Sequence, residues 1–345
     1  MKFSLFAHME RQDASVAHAR IFDELTALVQ MAEAGGFEAV WIGEHHGMEF
    51  TIAPNPFINI AYLAAKTERI RLGTGTVVAP FWHPIKLAGE AAMTDIVTGG
   101  RLDVGIARGA YSFEYARLAD GIDPMAAGAR LRELVPAVKM LWQGDYAHDG
   151  EHWSFPATTC TPQPLQKPHP PLWIAARDPN SHAFAVSNGC NVQVTPLWSG
   201  DPEVESLVAR FNEACEASPR VPRPRIMLLM HTYVAGSDAE VEEASRALSR
   251  YYGLFATWFK NDKPVHRGFI EPPSDEELAA TPMYAPQTLR ETLVIGTPET
   301  VVARLKRFES LGYDQFSLWI DNGMSFEAKR RSLARFIDEV MPAFA

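Results

Sequence analysis

The sequence has few cysteines, no long hydrophobic run and no excess of positive charge. Its three cysteines, Cys160, Cys190 and Cys215, are odd in number and show no Cys-x-x-Cys spacing, so neither a disulfide framework nor a thiolate zinc site is indicated. No apolar run approaches the roughly 18 to 20 residues that cross a bilayer, and the N-terminal apolar run is too short for a signal peptide. These absences predict a cytoplasmic protein with no membrane partner.

The charge of the chain excludes a further class of partners. Its 345 residues include 32 lysines and arginines against 42 aspartates and glutamates, a formal net charge of −10. Such a chain lacks the basic surface that binds a nucleic-acid backbone. Hydrophobic residues make up 47% and charged residues 21%, which is typical of a folded protein. We therefore expect a small-molecule substrate and no nucleic acid.

Short apolar runs alternate with amphipathic helical patterns along most of the chain. Eight strands are predicted, at residues 3–7, 39–42, 70–78, 102–107, 172–176, 191–195, 226–234 and 316–320. Repeated βαβ units require right-handed crossovers and parallel strands, and eight of them close into an α/β fold of the (β/α)8 TIM-barrel type. An open, doubly wound sheet is the alternative. The prediction is one barrel domain over residues 1–345.

Two stretches interrupt the alternation. From about 145 to 171, prolines and turn formers surround Trp153-Ser154-Phe155, which predicts an inserted short hairpin. From about 253 to 291, aromatic and basic residues are mixed with prolines. Because long loops in compact domains are usually functional or disordered, we predict a mobile, lid-like loop there.

The carboxyl ends of the strands are where a barrel of this type carries its chemistry. The second strand ends in Glu44, His45 and His46, and a histidine beside a carboxylate suits proton transfer near neutral pH. A structural, hydrogen-bonded histidine is the plain alternative. A metal-dependent barrel hydrolase is a competing use of such residues, but the sequence has no His-Glu-x-x-His helix and no His-x-His pair on the first strand, so no metal site is expected.

Small residues and arginines occupy other strand ends. Gly75 and Thr76 lie where glycine allows a flat ligand to approach the backbone, unless the glycine serves only packing. Arg108 ends the fourth strand, and Arg177 and Ser181 flank the start of a later helix. Because arginine binds phosphate through a planar fork and a helix N-terminus favours negative charge, these residues predict an anion site. A surface ion pair is the alternative for each arginine.

An ordered set of motifs resembles that of a known family. The motifs are Glu44-His45-His46, Asn55-Pro56, the run from Gly73 to Pro80, His83-Pro84, Gly99-Gly100-Arg101, the run from Gly105 to Gly109, Gly296-Thr297-Pro298-Glu299 and Val340-Met341-Pro342. With them, nearly the whole chain resembles the bacterial luciferase-like, flavin-dependent monooxygenases. The ordered set is specific although no single motif is decisive.

The resemblance implies a (β/α)8 barrel, a homodimer and a two-component reaction. Reduced FMN from a separate NAD(P)H:flavin reductase would react with O2 to form a flavin C4a-peroxide. The peroxide would oxygenate a small, mainly hydrophobic organic substrate. A deazaflavin-dependent oxidoreductase of the same superfamily and a catalytically silent flavin-binding protein stay open as alternatives.

Residue roles follow from the same resemblance. His45 matches the family's catalytic histidine and Glu44 the acidic residue before it. Gly75 and Thr76 match the position where the family has a cis peptide under the isoalloxazine ring. Arg108 matches the arginine that binds the flavin phosphate. The segment that completes the phosphate site corresponds to Arg177, Asp178 and Ser181. Ala107 stands where luciferase has a reactive cysteine, and Arg177 replaces an acidic residue. Both departures argue against light emission.

Overall fold

Eight parallel strands form the closed centre of the structure, a computed structural model that describes every residue from Met1 to Ala345. The strands of the whole chain are β1 (Lys2–Ala7), β2 (Ala39–Ile42), β3 (Arg71–Thr74), β4 (Val77–Val78), β5 (Leu102–Ala107), β6 (Tyr146–Asp149), β7 (Ser154–Thr158), β8 (Leu172–Ala175), β9 (Asn191–Val194), β10 (Ile226–Val234), β11 (Val265–His266), β12 (Phe269–Ile270), β13 (Val294–Gly296) and β14 (Gln315–Trp319). The barrel order is β10-β14-β1-β2-β3-β5-β8-β9, and β9 pairs with β10 to close it. The predicted (β/α)8 barrel is confirmed.

Helices surround the barrel and connect its strands. They are α1 (His18–Ala34), α2 (Pro56–Ala64), α3 (Pro84–Val97), α4 (Ser112–Leu118), α5 (Gly128–Gln143), α6 (Pro179–Ser187), α7 (Gly200–Ala217), α8 (Asp238–Lys260), α9 (Asp275–Ala279), α10 (Pro286–Thr292), α11 (Pro298–Ser310) and α12 (Phe326–Arg335). Side-chain oxygens of Asn55, Ser237 and Ser325 accept hydrogen bonds from the first free N–H groups of α2, α8 and α12. These caps explain where the three helices begin.

None of these helices combines the length and the hydrophobicity needed to cross a membrane.

Large aromatic side chains fill the interior of the barrel. The rings of Trp41 and Trp173 pack edge to face, with centroids 5.2 Å apart. A Cβ on Gly73 would lie 2.2 Å from the Trp41 ring. Glycine inside a strand normally weakens it, and here it makes the room that the indole needs.

The third predicted strand is interrupted, which the sequence analysis did not foresee. β3 ends at Thr74, β4 begins at Val77, and the Gly75–Thr76 peptide bond between them is cis. The hydroxyl of Thr74 donates to the Gly105 carbonyl at 2.7 Å and accepts from the Gly105 N–H at 2.8 Å. Because the side chain satisfies both backbone groups of Gly105, the backbone of the third strand is free to leave the ladder there.

The first excursion is confirmed and the second is largely regular structure. β6 and β7 pair as the predicted antiparallel hairpin. The prediction of an irregular loop from residue 253 is wrong over residues 253–260, because α8 continues to Lys260. A Cβ on Gly253 would lie 2.2 Å from Leu278 Cδ2, so this glycine allows α9 to pack on α8 and does not end the helix. The hairpin β11–β12 then contacts the loop after β2, where the Glu49 N–H donates to the Gly268 carbonyl at 2.8 Å.

Candidate active site

A cavity of about 610 Å³ opens at the carboxyl ends of β3, β5, β8 and β9. Its lining includes all six residues that the sequence analysis assigned to cofactor binding, namely Gly75, Thr76, Arg108, Arg177, Asp178 and Ser181. These residues come from three separate β-α connections. Closure of the barrel therefore brings them together at one site.

The walls of the cavity suit a flat, largely apolar group. Ile174, Val194 and Leu229 contribute aliphatic side chains, while Gly75 presents only backbone. The Gln193 side chain also lines the cavity, and its Nε2 is buried without a hydrogen-bond partner in the protein. A buried donor in this state is available to a bound ligand. Gln193 escaped the sequence analysis because it lies inside a strand and not at its end.

Three arginines give one end of the cavity a positive charge. Arg108 uses Nη1 to donate to the Pro124 carbonyl at 2.9 Å, and its Nε and Nη2 make no hydrogen bond within the protein. Arg177 is exposed and its Nε lies 3.5 Å from Glu203 Oε1, the surface ion pair that was the alternative for this residue. Arg132, which the sequence analysis missed, lines the same cavity. A cluster of guanidinium groups in a cleft attracts an anion such as phosphate.

The N-terminus of α6, capped by Asp178, lies at the arginine-lined end of the cavity. The Asp178 carboxylate accepts from the Ser181 N–H at 3.1 Å, and the Ser181 hydroxyl lies 3.0 Å from Asp178 Oδ2. Partial burial opposes ionisation, but the hydrogen bonds from Ser181 prevail and lower the pKa of Asp178. The negative charge of Asp178 is therefore held by the helix N-terminus, which reduces its repulsion of an anion in the cavity.

His45 and His46 each have their own carboxylate partner. His45 Nδ1 lies 3.0 Å from Glu114 Oε2, and the other oxygen of Glu114 accepts from the His46 N–H at 2.7 Å. The His46 ring contacts Glu44 through Nε2 at 2.8 Å. Glu114 is buried at the start of α4, a helix absent from the sequence analysis, so no local signal pointed to it. The Nε2 atom of His45 has no protein partner.

Glu44 is a buried carboxylate with every oxygen engaged. Its Oε2 accepts from the Val78 N–H at 2.7 Å and from Trp82 Nε1 at 2.8 Å, while Oε1 faces His46. Charge-assisted hydrogen bonds of this kind are strong. Glu44 thus fixes β4, the strand that follows the Gly75–Thr76 bend.

Glu10 is a second buried carboxyl group near the barrel mouth, and the sequence analysis missed it. The residue is 8% exposed, Oε2 accepts from Gln12 at 3.1 Å, and the Tyr251 hydroxyl is a further hydrogen-bond partner of the carboxyl group. Burial raises the pKa of Glu10 to about 8, and the negative charge of Asp321 is the second cause of this rise. The Lys329 charge opposes this rise only in part, and its Nζ also pairs with Asp321 at 2.6 Å.

Comparison with known proteins gives a consistent result. Residues 1–315 match the family described as luciferase-like monooxygenase. The chain is 60% identical over 345 residues, 100% of this chain and 96% of the other, to the flavin-dependent trigonelline monooxygenase, oxygenase component, of Acinetobacter baylyi. The crystal structure of monooxygenase RslO1 from Streptomyces bottropensis superposes with a TM-score of 0.83 at 28% identity, over 100% of both chains.

A third comparison concerns the fold alone. The oxygenating constituent of 3,6-diketocamphane monooxygenase from Pseudomonas putida, solved in complex with FMN, superposes with a TM-score of 0.78. Its sequence is 19% identical over 99% of this chain and 98% of the other.

The fold and the site together define a class of protein. A closed (β/α)8 barrel with an arginine-lined cavity at the carboxyl ends of its strands is typical of barrel enzymes that bind phosphorylated ligands. The chain belongs to the luciferase-like monooxygenase family. The predicted family and the predicted enzyme class are both confirmed.

Replacing Glu10 by glutamine tests the environment of this carboxyl group. Because burial raises the pKa of Glu10 from 4.5 to about 8, folding favours its protonated form. The stability that this form contributes is fully present below the unfolded pKa and is lost as the pH rises through about 8. The Glu10→Gln variant should therefore become progressively more stable relative to the wild type between about pH 5 and pH 9. Urea unfolding at several pH values measures the difference, and a pH-independent difference would contradict the prediction.

Proposed function

We propose that the chain, acting as one domain over residues 1–345, is the oxygenase component of a two-component monooxygenase whose substrate is trigonelline or a closely similar N-methylated pyridine carboxylate. The observation that carries this proposal is the 60% identity to a trigonelline monooxygenase over the full chain. Trigonelline has a quaternary pyridinium nitrogen and a carboxylate. The proposed substrate is therefore more polar than the mainly hydrophobic one expected from the sequence.

The cofactor is FMN in its reduced form, in agreement with the flavin-dependent relative and against the deazaflavin alternative. When bound, reduced FMN supplies the electrons that activate O2. The cavity fits this group, since it has aliphatic walls, an unpaired Gln193 amide and an arginine-rich end. In the proposed complex, Arg108, Arg177 and Ser181 bind the phosphate, and Asp178 contributes its backbone and the cap of α6.

The flavin ring lies, in the proposed complex, against the backbone of Gly75 and Thr76. His45 is then the catalytic side chain, because Glu114 holds its Nδ1 and leaves Nε2 free to exchange a proton with bound groups. Glu44 supports the same site by fixing β4 through its hydrogen bond to Val78. Its part in catalysis is one of positioning.

A separate NAD(P)H:flavin reductase supplies the reduced FMN in this proposal, as the words "oxygenase component" in the relative's name suggest. We also propose that the protein acts in the cytoplasm. The three cysteines form no disulfide, which agrees with a reducing compartment.

The proposed homodimer is supported by an exposed apolar face on α2 and α3. The side chains of Ile58, Met93, Ile96 and Val97 are 68%, 60%, 47% and 52% exposed, and Tyr62 lies on the same pair of helices. Neighbouring exposed apolar side chains of this size commonly mark a protein interface. A second copy of the chain is the proposed occupant.

The activity is tested with the purified protein, a flavin reductase, NADH and FMN. We expect a product that forms only when trigonelline is present and that carries one atom from 18O-labelled O2, as measured by mass spectrometry. Nicotinate, which lacks the N-methyl group, serves as the comparison compound. Uptake of O2 without labelled product would refute the proposed function.

Arg108→Ala tests the phosphate site. Loss of a charge-assisted hydrogen bond, worth about 1.5 to 3 kcal/mol, should weaken FMN binding by roughly 10- to 100-fold. Riboflavin has the same ring and no phosphate, so its affinity should change little. Arg69→Ala, at an exposed arginine outside the cavity, is the matched control. Equal losses for FMN and riboflavin in a titration would contradict a phosphate contact.

Ile96→Glu tests the dimer face. The wild type should have twice the 38.3 kDa mass of the chain in light scattering, and the variant should be monomeric because it buries a charge at the interface. Leu118→Glu, at an exposed leucine on α4, should leave the mass unchanged. A wild-type monomer at micromolar concentration would overturn the proposed dimer.

A further inference from the structure

Gln193 places a buried amide group on the wall of the proposed flavin cavity. The residue lies within β9, is 7% exposed and is one of the residues that line the cavity. Its Nε2 is buried and has no hydrogen-bond partner in the protein. Because buried polar groups are normally hydrogen-bonded, this N–H group lacks a partner that the chain itself does not supply.

The position of the amide follows from its contact with Gly105 on β5. A Cβ on Gly105 would lie 3.2 Å from Gln193 Nε2 and 3.3 Å from Gln193 Oε1, and it would clash with the Thr74 carbonyl oxygen. Glycine at this place therefore lets the amide and β3 approach β5 closely. Since Thr74 directly precedes Gly75, the Gln193 amide lies near the part of the cavity that Gly75 and Thr76 line.

The other side chains near this part of the cavity are apolar or already engaged. Ile174 and Leu229 are aliphatic, and the Thr195 hydroxyl accepts from the Leu197 N–H at 3.3 Å. The charged residues of the lining lie after strands or on α5, namely Arg108, Arg132, Arg177 and Asp178. Gln193 is thus separate from the arginine-rich end and lies among weakly polar groups, where a hydrogen bond is stronger than in water.

The chemistry of a flavin ring makes a single N–H donor sensitive to the redox state. Hydrogen-bond acceptors lie along the pyrimidine edge of the ring. The oxidised ring is neutral, whereas the two-electron-reduced ring carries a negative charge at neutral pH, shared by N1 and the C2 oxygen. Because hydrogen bonds to a charged acceptor are stronger than those to a neutral one, an amide donor at this edge favours the reduced ring.

We propose that the Gln193 amide donates a hydrogen bond to the pyrimidine edge of the bound flavin and that this bond makes the cavity prefer reduced to oxidised FMN. The inference deepens the proposed function and rests on it for the identity of the cofactor. An oxygenase that receives reduced flavin and returns oxidised flavin benefits from this order of affinities, because oxidised FMN otherwise competes for the same cavity.

Gln193→Met tests the proposal, because methionine has a similar length and cannot donate a hydrogen bond. In anaerobic titrations, reduced FMN should bind the variant roughly 20-fold more weakly than it binds the wild type, and oxidised FMN only about twofold more weakly. The ratio of the two affinities then falls about tenfold. For a two-electron couple, this change lowers the midpoint potential of the bound FMN by about 30 mV.

Riboflavin separates a contact with the ring from a contact with the phosphate. It has the same ring as FMN, so Gln193→Met should weaken the binding of reduced riboflavin as much as that of reduced FMN. Arg108→Ala should give the opposite pattern, with a loss for FMN and little change for riboflavin. A loss confined to FMN in Gln193→Met would overturn the proposed ring contact.

Stability measurements distinguish a lost hydrogen bond from structural damage. Gln193→Met replaces a buried amide whose N–H is unpaired, so the flavin-free variant should unfold at the same temperature as the wild type or a higher one. Gln30→Met is the matched control, because Gln30 lies on α1 outside the cavity and its Nε2 donates to the Lys66 carbonyl. This control should bind both redox forms of FMN as the wild type does.

The outcomes distinguish this inference from the proposed function. Equal losses for reduced and oxidised FMN in Gln193→Met, or unchanged affinities for both, would overturn the role of Gln193. A lower midpoint potential in Gln193→Met, together with no oxygenation of trigonelline by the wild type, would uphold the flavin contact and refute the proposed function. Oxygenation of trigonelline by the wild type, with an unchanged midpoint potential in Gln193→Met, would refute only the flavin contact.

Discussion

The pairing of β9 with β10 closes the sheet into a barrel, and the position of every candidate site residue depends on that closure. Parallel strands all end on the same side, so a closed ring of eight directs the ends of strands distant in sequence toward one rim. Arg108, after β5, and Ser181, after β8, then line one cavity. An open sheet would leave these ends in a row, without an enclosed site.

Buried carboxyl groups at this rim are of two kinds. Glu44 and Glu114 are satisfied by backbone and histidine donors, and each holds one segment in place. Asp321 accepts from the His8 N–H and pairs with Lys329. Glu10 differs, because burial raises the pKa of its carboxyl group to about 8 and so favours the protonated form at neutral pH. Its contribution to stability therefore changes with pH in the neutral range.

Most elements of the fold were predictable, and the errors have local causes. The eight barrel strands follow from short apolar runs between turn signals, as for residues 39–42. The break in the third strand was missed because it depends on the Thr74 hydroxyl, which takes over the backbone hydrogen bonds to Gly105. The two residues are far apart in the chain, so hydrophobic periodicity gives no sign of this contact. The extension of α8 beyond Gly253 was missed because glycine usually signals a helix end, whereas here it serves contact with Leu278.

The sequence by itself determined the barrel, the family and six of the residues that line the proposed cofactor cavity, because each of these depends on short motifs at strand ends. The tertiary structure alone decided which side chains work together. Glu114 reaches His45 from another β-α connection, and Glu10 is brought beside Tyr251, which is distant from it in the chain. Such partnerships arise from packing across long sequence separations, and residue order along the chain carries no local mark of them.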